Sequence, residues 1–264
     1  MKISKIILYN EPSVPKIDIN NIEKFIENTF QIKTEIRNNI FENLNEKMCK
    51  NIASSRIFNL KKIFQKHIPS IEEILIESEN KDMSNREEMI LYDGIELNKI
   101  IAELIPSEEK NQDTLNIIFT NKLTCTFDEN DFRYHARAWV GSNPIIISTT
   151  GIIEAPAKPK QYYLDLMTNF SKEEIEEIKK KYKGQFLEYG DSRMPEIVEG
   201  YALQAIFYFE TGDAFCDNSQ CRLFNAHWQK DLFISQIDNK KMCKKHEEYM
   251  IKIRNKKCQN DILE

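Results

Sequence analysis

Four potential metal ligands near the end of the chain place the strongest constraint on its fold. Four residues separate Cys216 from Cys221, and two residues separate Cys243 from His246. Thiolate sulfur and imidazole nitrogen are the donors of structural zinc sites, in which two short loops each supply a pair of ligands to one tetrahedral ion. The spacing therefore predicts that the two loops meet in space and hold one structural zinc ion.

The same residues leave two other interpretations open. Cys216 and Cys221 are also typical of small buried side chains, with His246 exposed in a lysine-rich tail. In the second interpretation, Cys258 replaces His246 as the fourth ligand. The other two cysteines lie in unrelated contexts and are expected to be buried or free thiols: Cys49 and Cys125.

Composition favours a cytoplasmic globular protein. The chain has 264 residues, of which 41% are hydrophobic, and a net charge of -5. It contains no apolar run long enough to cross a membrane, and its apolar start turns polar at Asn10, too early for a signal peptide. Thiols stay reduced in the cytoplasm, which favours metal ligands over disulfides. The mildly acidic balance argues against broad nucleic-acid binding.

The first forty residues predict a strand, a helix and a second strand. An apolar run from Ile3 to Tyr9 precedes a helical stretch around Ile22, and residues 32–36 then alternate at period two. Such a β-α-β start favours a parallel pair of strands in an α/β sheet. Residues 45–105 predict a mainly helical insertion, in which the polar segment 77–88 is expected to form an exposed connection.

The middle of the chain predicts three more strands. Leu115 to Thr120 and Ile145 to Ser148 are β-branched runs suited to buried strands. Between them, Arg133 to Val140 alternates in polarity, which predicts an exposed edge strand. Turn residues 141–144 allow a hairpin between this strand and the next. Because an unpaired edge accepts extended peptides, we expect a peptide or protein partner near Arg133 to Trp139.

A helix is predicted from about Pro195 to Thr211, with Gly212 at its C-cap. Residues 202–209 are almost all apolar, with no polar face. A helix of this kind belongs inside a core.

The segment that follows this helix resembles the archaemetzincin zinc peptidases. Their signature runs HExxHxxGxxHC, then four residues, CxM and a later CxxC pair. In this frame the glycine corresponds to Gly212 and the Met-turn methionine to Leu223. The structural zinc ligands of the family correspond to Cys216, Cys221, Cys243 and His246. The resemblance covers the C-terminal half of the chain and implies the metzincin scaffold together with its structural zinc.

The catalytic part of the signature is absent in this frame. The two histidines of the active-site helix correspond to Ala205 and Phe209. The general-base glutamate corresponds to Ile206 and the third histidine to Phe215, while Glu210 lies out of register. Zinc peptidases need these side chains to hold the catalytic ion and to take a proton from its bound water. The resemblance therefore implies the scaffold without hydrolytic activity.

Together these features predict an α/β fold with a metzincin-like, mixed, mostly parallel twisted sheet, an antiparallel edge strand, packed helices and a C-terminal zinc-knotted segment. Residues 1–235 are expected to form the metzincin-like domain, with residues 212–264 as a zinc-bound segment packed on it. The favoured function is a catalytically inactive homologue that binds a peptide or protein. One alternative is an active metallopeptidase with a non-standard site that uses His135 and His227. The other is a nucleic-acid-associated zinc module with a basic tail.

Overall fold

The computed structural model describes residues 2–14, 17–79, 89–169 and 171–260, with side chains as far as residue 252. The α-helices within these ranges are α1 Ile19–Phe30, α2 Glu46–Ser54, α3 Ile71–Glu79, α4 Gly94–Leu104, α5 Thr149–Glu154, α6 Lys160–Thr168, α7 Lys172–Lys181, α8 Met194–Thr211, α9 Gln229–Phe233 and α10 Lys244–Asn260. The strands are β1 Lys5–Tyr9, β2 Lys33–Arg37, β3 Leu91–Asp93, β4 Thr114–Thr120, β5 Leu123–Asp128, β6 Arg133–Arg137, β7 Trp139–Gly141 and β8 Ile145–Ser148. A 3-10 turn at Ser107–Glu109 and a π-helical turn at Ile234–Asn239 complete the regular elements.

A five-stranded sheet with the order β2-β1-β4-β8-β7 forms the centre of the molecule. Its first four strands are parallel, and β7 runs antiparallel to β8 at the edge. The predicted β-α-β start is confirmed, because α1 connects the parallel pair β1 and β2 and Asp18 caps its first turn. The predicted fold class is confirmed too: the sheet is mixed, mostly parallel, and carries an antiparallel edge strand.

Helices cover both faces of this sheet. Ile6 and Leu8 of β1 point to one face, where they share a core with residues of α1 and α8. Ile7 and Tyr9 point to the other face, where they pack with Ile52 of α2 and with residues of α4. Parallel strands are usually buried in this way because their crossover helices lie on both faces.

A second sheet of three strands, with the order β3-β5-β6, lies beside the first. The prediction of one strand over Arg133 to Val140 is therefore wrong in its extent: β6 belongs to the small sheet and β7 to the large one. The chain changes sheet at Ala138, where α5 packs closely. A Cβ atom on Gly151 of α5 would lie 2.1 Å from the carbonyl oxygen of Arg137. The crossing thus depends on a glycine.

A buried charge cluster joins residues 45–105 to the start of β5, and we define it as Arg56, Glu77, Tyr92 and Lys122. Glu77 is 2% exposed. Its carboxylate lies 2.5 Å from Arg56 Nη2 and 2.6 Å from Lys122 Nζ, and it accepts a hydrogen bond from the Tyr92 hydroxyl. The expectation that 77–88 begins as an exposed connection is therefore wrong at Glu77, because its two cationic partners draw it inward. Residues 80–88 lie outside the described residues.

Helix α8 brings the core to the C-terminal segment. Phe207 of α8 packs edge-on against Phe30 of α1, with ring centroids 6.4 Å apart. The predicted C-cap is confirmed: Gly212 has φ +80°, a left-handed conformation that glycine adopts without strain. None of the helices in the described ranges combines the length and the apolar character needed to span a membrane.

Candidate metal centre

Two loops meet beyond the end of α8. The first loop closes on itself through a hydrogen bond of 2.9 Å from the Cys216 N–H to the Leu223 carbonyl. The second loop joins it through a hydrogen bond of 2.8 Å from the Arg222 N–H to the Lys241 carbonyl. These main-chain contacts place the two loops side by side.

These loops bring the four predicted ligands together. The sulfur atoms of Cys216, Cys221 and Cys243 and a ring nitrogen of His246 all lie within 4.8 Å of one another. We call these four residues the Cys3His cluster. The prediction that the two pairs converge is confirmed, and the interpretation of His246 as an exposed tail residue is wrong, since it is 8% exposed. The side chain of the rival ligand, Cys258, lies outside the described residues.

Three separations within the Cys3His cluster fit a tetrahedral zinc ion. Zinc bonds of about 2.3 Å to sulfur and about 2.0 Å to nitrogen place tetrahedral ligands about 3.8 Å apart for two sulfurs and about 3.5 Å apart for sulfur and nitrogen. The sulfur atoms of Cys216 and Cys243 are 3.8 Å apart. His246 Nδ1 lies 3.5 Å from the sulfur of Cys221 and 3.2 Å from that of Cys243. A disulfide would require about 2.05 Å between sulfurs.

Main-chain donors surround the sulfur atoms. The Cys243 N–H lies 3.3 Å from the sulfur of Cys221, and the Asn218 N–H lies 3.4 Å from that of Cys216. Hydrogen bonds of this kind favour the thiolate, which is the form that binds metal. The donor set, the separations and these second contacts together fit zinc.

Burial acts on the pKa values of three side chains in the Cys3His cluster. Burial raises the pKa of the Cys221 thiol to about 12. Burial also acts to raise the pKa of Cys243. Hydrogen bonds to Cys243 outweigh burial and lower its pKa, and the largest of these contributions comes from the main chain of His246. Burial, with a smaller contribution from Lys245, lowers the pKa of His246, so its imidazole is neutral near pH 7.

We expect zinc affinity to fall as the pH falls. The Cys221 thiol must lose its proton when it binds the metal, since its pKa without metal is about 12. Each unit of pH below that value therefore weakens binding at least about tenfold, with a further loss once His246 becomes protonated. Competition titrations with a chromophoric chelator at pH 6, 7 and 8 measure this slope. Equal affinity at all three pH values would contradict it.

The four residues that match catalytic residues in the archaemetzincin frame pack against other apolar side chains. Ala205 and Ile206 are fully buried. Phe209 packs at the edge of the same core, and Phe215 stacks on Trp139 with ring centroids 5.8 Å apart. Glu210, the nearest carboxylate on α8, accepts hydrogen bonds from the main chain of residues 2 and 3.

A cleft of about 400 Å³ opens beside this region. Its wall includes Arg137, Trp139, Tyr201, Asn225 and His227. Sequence reasoning did not single out Tyr201 or Asn225. The available signal for Tyr201 was a hydroxyl group next to the apolar stretch of this helix.

The histidines of the non-standard site do not assemble with each other. His135 forms the second group of potential ligands in the described part of the chain, with Asp128 and Asp131, and its ring lies 2.8 Å from Asp131. His227 belongs to neither ligand group of the described residues and is exposed at the cleft. The alternative that joins His135 and His227 in one metal site is therefore not supported by their positions.

Two solved structures are similar to this chain. The archaemetzincin of Methanopyrus kandleri matches with a TM-score of 0.46 and 8% identity, over 96% of each chain. A zinc-dependent peptidase from Methanocorpusculum labreanum matches with a TM-score of 0.40 and 10% identity, over 93% of this chain and 99% of that one. No curated protein matches the sequence significantly.

A family relationship covers nearly the whole chain. The family described as a probable metallopeptidase family (DUF6775) matches residues 2–253. The kinship with metallopeptidases that the cysteine frame implied is thereby confirmed. The chain belongs to this probable metallopeptidase family, DUF6775.

Proposed function

We propose that this protein is a non-catalytic member of its metallopeptidase family, that it holds one structural zinc ion, and that it binds an extended peptide. The observation that carries the proposal is a contrast between two neighbouring places. The Cys3His cluster is assembled at zinc distances. The frame positions of the catalytic ligands are instead filled by Ala205, Phe209 and Phe215, which supply no lone pair to a metal.

The zinc ion in this proposal has a structural role. Cys221 is fully buried and His246 nearly so, and four protein ligands complete a tetrahedron without an open position for water. Bound zinc would tie the loop after α8 to the start of α10. Its chemistry would be to neutralise the thiolates and to crosslink the two loops.

Strand β7 offers the peptide site. It is the last strand of the large sheet. The Ser148 N–H donates to the Ala138 carbonyl, so Ala138 and Val140 direct their main-chain groups toward β8. Because these directions alternate along an antiparallel strand, the N–H and C=O of Trp139 face the free edge beside the cleft. Nearby on β6, the Tyr134 N–H already bonds the Leu60 carbonyl, so the proposed contact centres on Trp139.

Metal analysis and peptide hydrolysis test the proposal together. We expect one zinc per chain, none in Cys216→Ser, and no chelator-sensitive cleavage of quenched peptide libraries. A second zinc per chain would contradict the structural role. Cleavage that chelator and His227→Ala both abolish would show an active peptidase instead.

A binding assay tests the proposed pairing of a peptide with β7. An extended peptide should bind, and the same peptide with N-methylated main-chain nitrogens at alternate positions should bind at least about tenfold more weakly, since each lost hydrogen bond costs about 1 kcal/mol. Equal binding of the two peptides would exclude pairing with β7.

A further inference from the structure

The polar side chains that the described residues contribute to the wall of the cleft can all donate hydrogen bonds, and none of them is a carboxylate. Arg137 and His227 line it with Asn225, and no aspartate or glutamate of the described residues does so. This local set contrasts with a chain whose net charge is -5. Arg137 donates from Nε to the Thr126 hydroxyl at 2.7 Å and has no carboxylate within ion-pair distance among the described residues. The guanidinium therefore keeps spare donors and has no direct ion-pair partner, although hydrogen bonds and, to a smaller extent, the Arg137 charge lower the pKa of Asp128.

Two further donors belong to residues of this wall. Tyr201 lines the cleft, and its hydroxyl forms no hydrogen bond within the described residues. Burial alone raises the pKa of Tyr201, which agrees with the absence of a charged or hydrogen-bonded neighbour. The Trp139 Nε1–H is buried and unpaired in the described structure. An unpaired buried donor costs free energy, and an acceptor that reaches this indole N–H would remove that cost.

The acceptor that suits this set is a carboxylate. Arginine, tyrosine and indole N–H groups donate and do not need a proton from the ligand. An amide oxygen would satisfy a donor but would leave Arg137 without an ion-pair partner. A carboxylate satisfies both, and hydrogen bonds between ionised partners are about twice as strong as neutral ones.

The geometry also indicates where the carboxylate is carried. Arg137 ends β6 and Trp139 begins β7, and both line the same cleft. The side chains of a segment paired with β7 alternate between the two faces of the sheet, and those opposite each other on one face interact. A side-chain carboxylate would project toward these donors, whereas a terminal carboxylate would stay close to the plane of the sheet.

We propose that the cleft selects an aspartate or glutamate side chain in the extended peptide that pairs with β7. This inference rests on the proposed peptide-binding function and names the class of peptide. Arg137 supplies the charge, and the Tyr201 hydroxyl and the Trp139 Nε1–H supply neutral donors. The indole of Trp139 is held by Tyr208 and Phe215, with ring centroids 5.3 Å and 5.8 Å away, which orients its N–H before the ligand arrives.

Binding of matched peptides tests this selection. The probes are acetylated and amidated peptides of about ten residues with alternating valine and threonine, a lysine at each end and a central glutamate, glutamine or lysine. We expect the glutamate peptide to bind about tenfold more tightly than the glutamine peptide in fluorescence anisotropy. The preference should shrink as salt is raised from low concentration, since partly exposed charges are screened.

Variants identify the groups that carry the preference. Arg137→Gln should abolish most of the difference between glutamate and glutamine, whereas Arg133→Gln, on the same strand but outside the cleft wall, should leave it unchanged. Tyr201→Phe should weaken the glutamate peptide several-fold without lowering the melting temperature, because the hydroxyl has no partner in the free protein. A purely structural role of Tyr201 would instead lower the melting temperature and leave the preference intact.

The remaining outcomes separate the two proposals. Equal binding of glutamate and glutamine peptides would overturn the selection and leave the edge-strand function in place. If tighter binding is found only for a glutamine peptide with a free carboxyl terminus, the cleft binds a terminal carboxylate and the side-chain assignment is overturned. Failure of every peptide to bind would overturn both.

Discussion

Cys243→Ser should release zinc and unfold the segment that follows α8. Serine removes one thiolate from the Cys3His cluster, in which Cys243 contacts both the sulfur of Cys216 and the ring of His246. A structural zinc site does not exist in the unfolded chain, so its binding free energy contributes to folding. We expect a loss of about 4 kcal/mol, which lowers the melting temperature by about 10 °C in a chain of this size.

Hydrogen exchange locates the effect. Amides of residues 213–246 should lose protection in Cys243→Ser and in the chelated wild type, while those of β1 and β4 keep theirs. Cys49→Ser is the matched control, because Cys49 is fully buried in α2 and lies outside the cluster. It should keep its zinc, and any loss of stability should be the same with and without metal. If wild type and Cys243→Ser melt alike with and without zinc, the structural role is excluded.

Glu77→Gln should destabilise the whole fold by about 3–5 kcal/mol, because it leaves two buried cations without their shared carboxylate. Arg56 and Lys122 are 5% exposed each. Burial alone would raise the pKa of Glu77, but the charges of Lys122 and Arg56 outweigh it and lower the pKa. Urea unfolding of the variant beside the wild type measures the free energy difference.

Matched variants and pH test the same cluster. Glu72→Gln, on an exposed position of the same helix, should change stability by less than about 0.5 kcal/mol. Glu77→Gln combined with Lys122→Met should recover part of the loss. Because the folded pKa of Glu77 is lowered, its contribution is complete above the pKa of the unfolded carboxyl and is lost as the pH falls below it. Equal stability of Glu77→Gln and wild type at neutral pH would contradict the account.

Patterns with strong local causes were predictable from the sequence. Each of the first three elements has the residue pattern of a single type of secondary structure: β1 is an apolar run, α1 has helical spacing and β2 alternates. A strand, a helix and a strand in this order predict a parallel pair. The turn beginning at Gly141 gave the hairpin of β7 and β8. The Cys3His cluster was predictable because zinc chemistry limits which residues, at which spacings, can meet around one ion.

Features that depend on distant contacts could not be predicted. The break between β6 and β7 is fixed by the close approach of Gly151, which is remote in sequence. Glu77 looks like part of a polar connection until Arg56 and Lys122, which lie in other segments, are placed beside it. The cleft likewise combines β6, β7, α8 and a loop. Such sites result from tertiary packing, which a single sequence pattern does not encode.

The position of His246 has a consequence for synthesis on the ribosome. Its ring packs edge-on against Phe207, which in turn contacts Phe30 in the first helix. Residues of the first helix thus wait for a contact that is synthesised much later, while domains generally assemble from the amino-terminal side as the chain emerges. A premature stop codon shortly before position 243 would release a product in which Phe207 loses its contacts with His246 and Tyr249, and the exposed apolar surface is a target for chaperones and proteases.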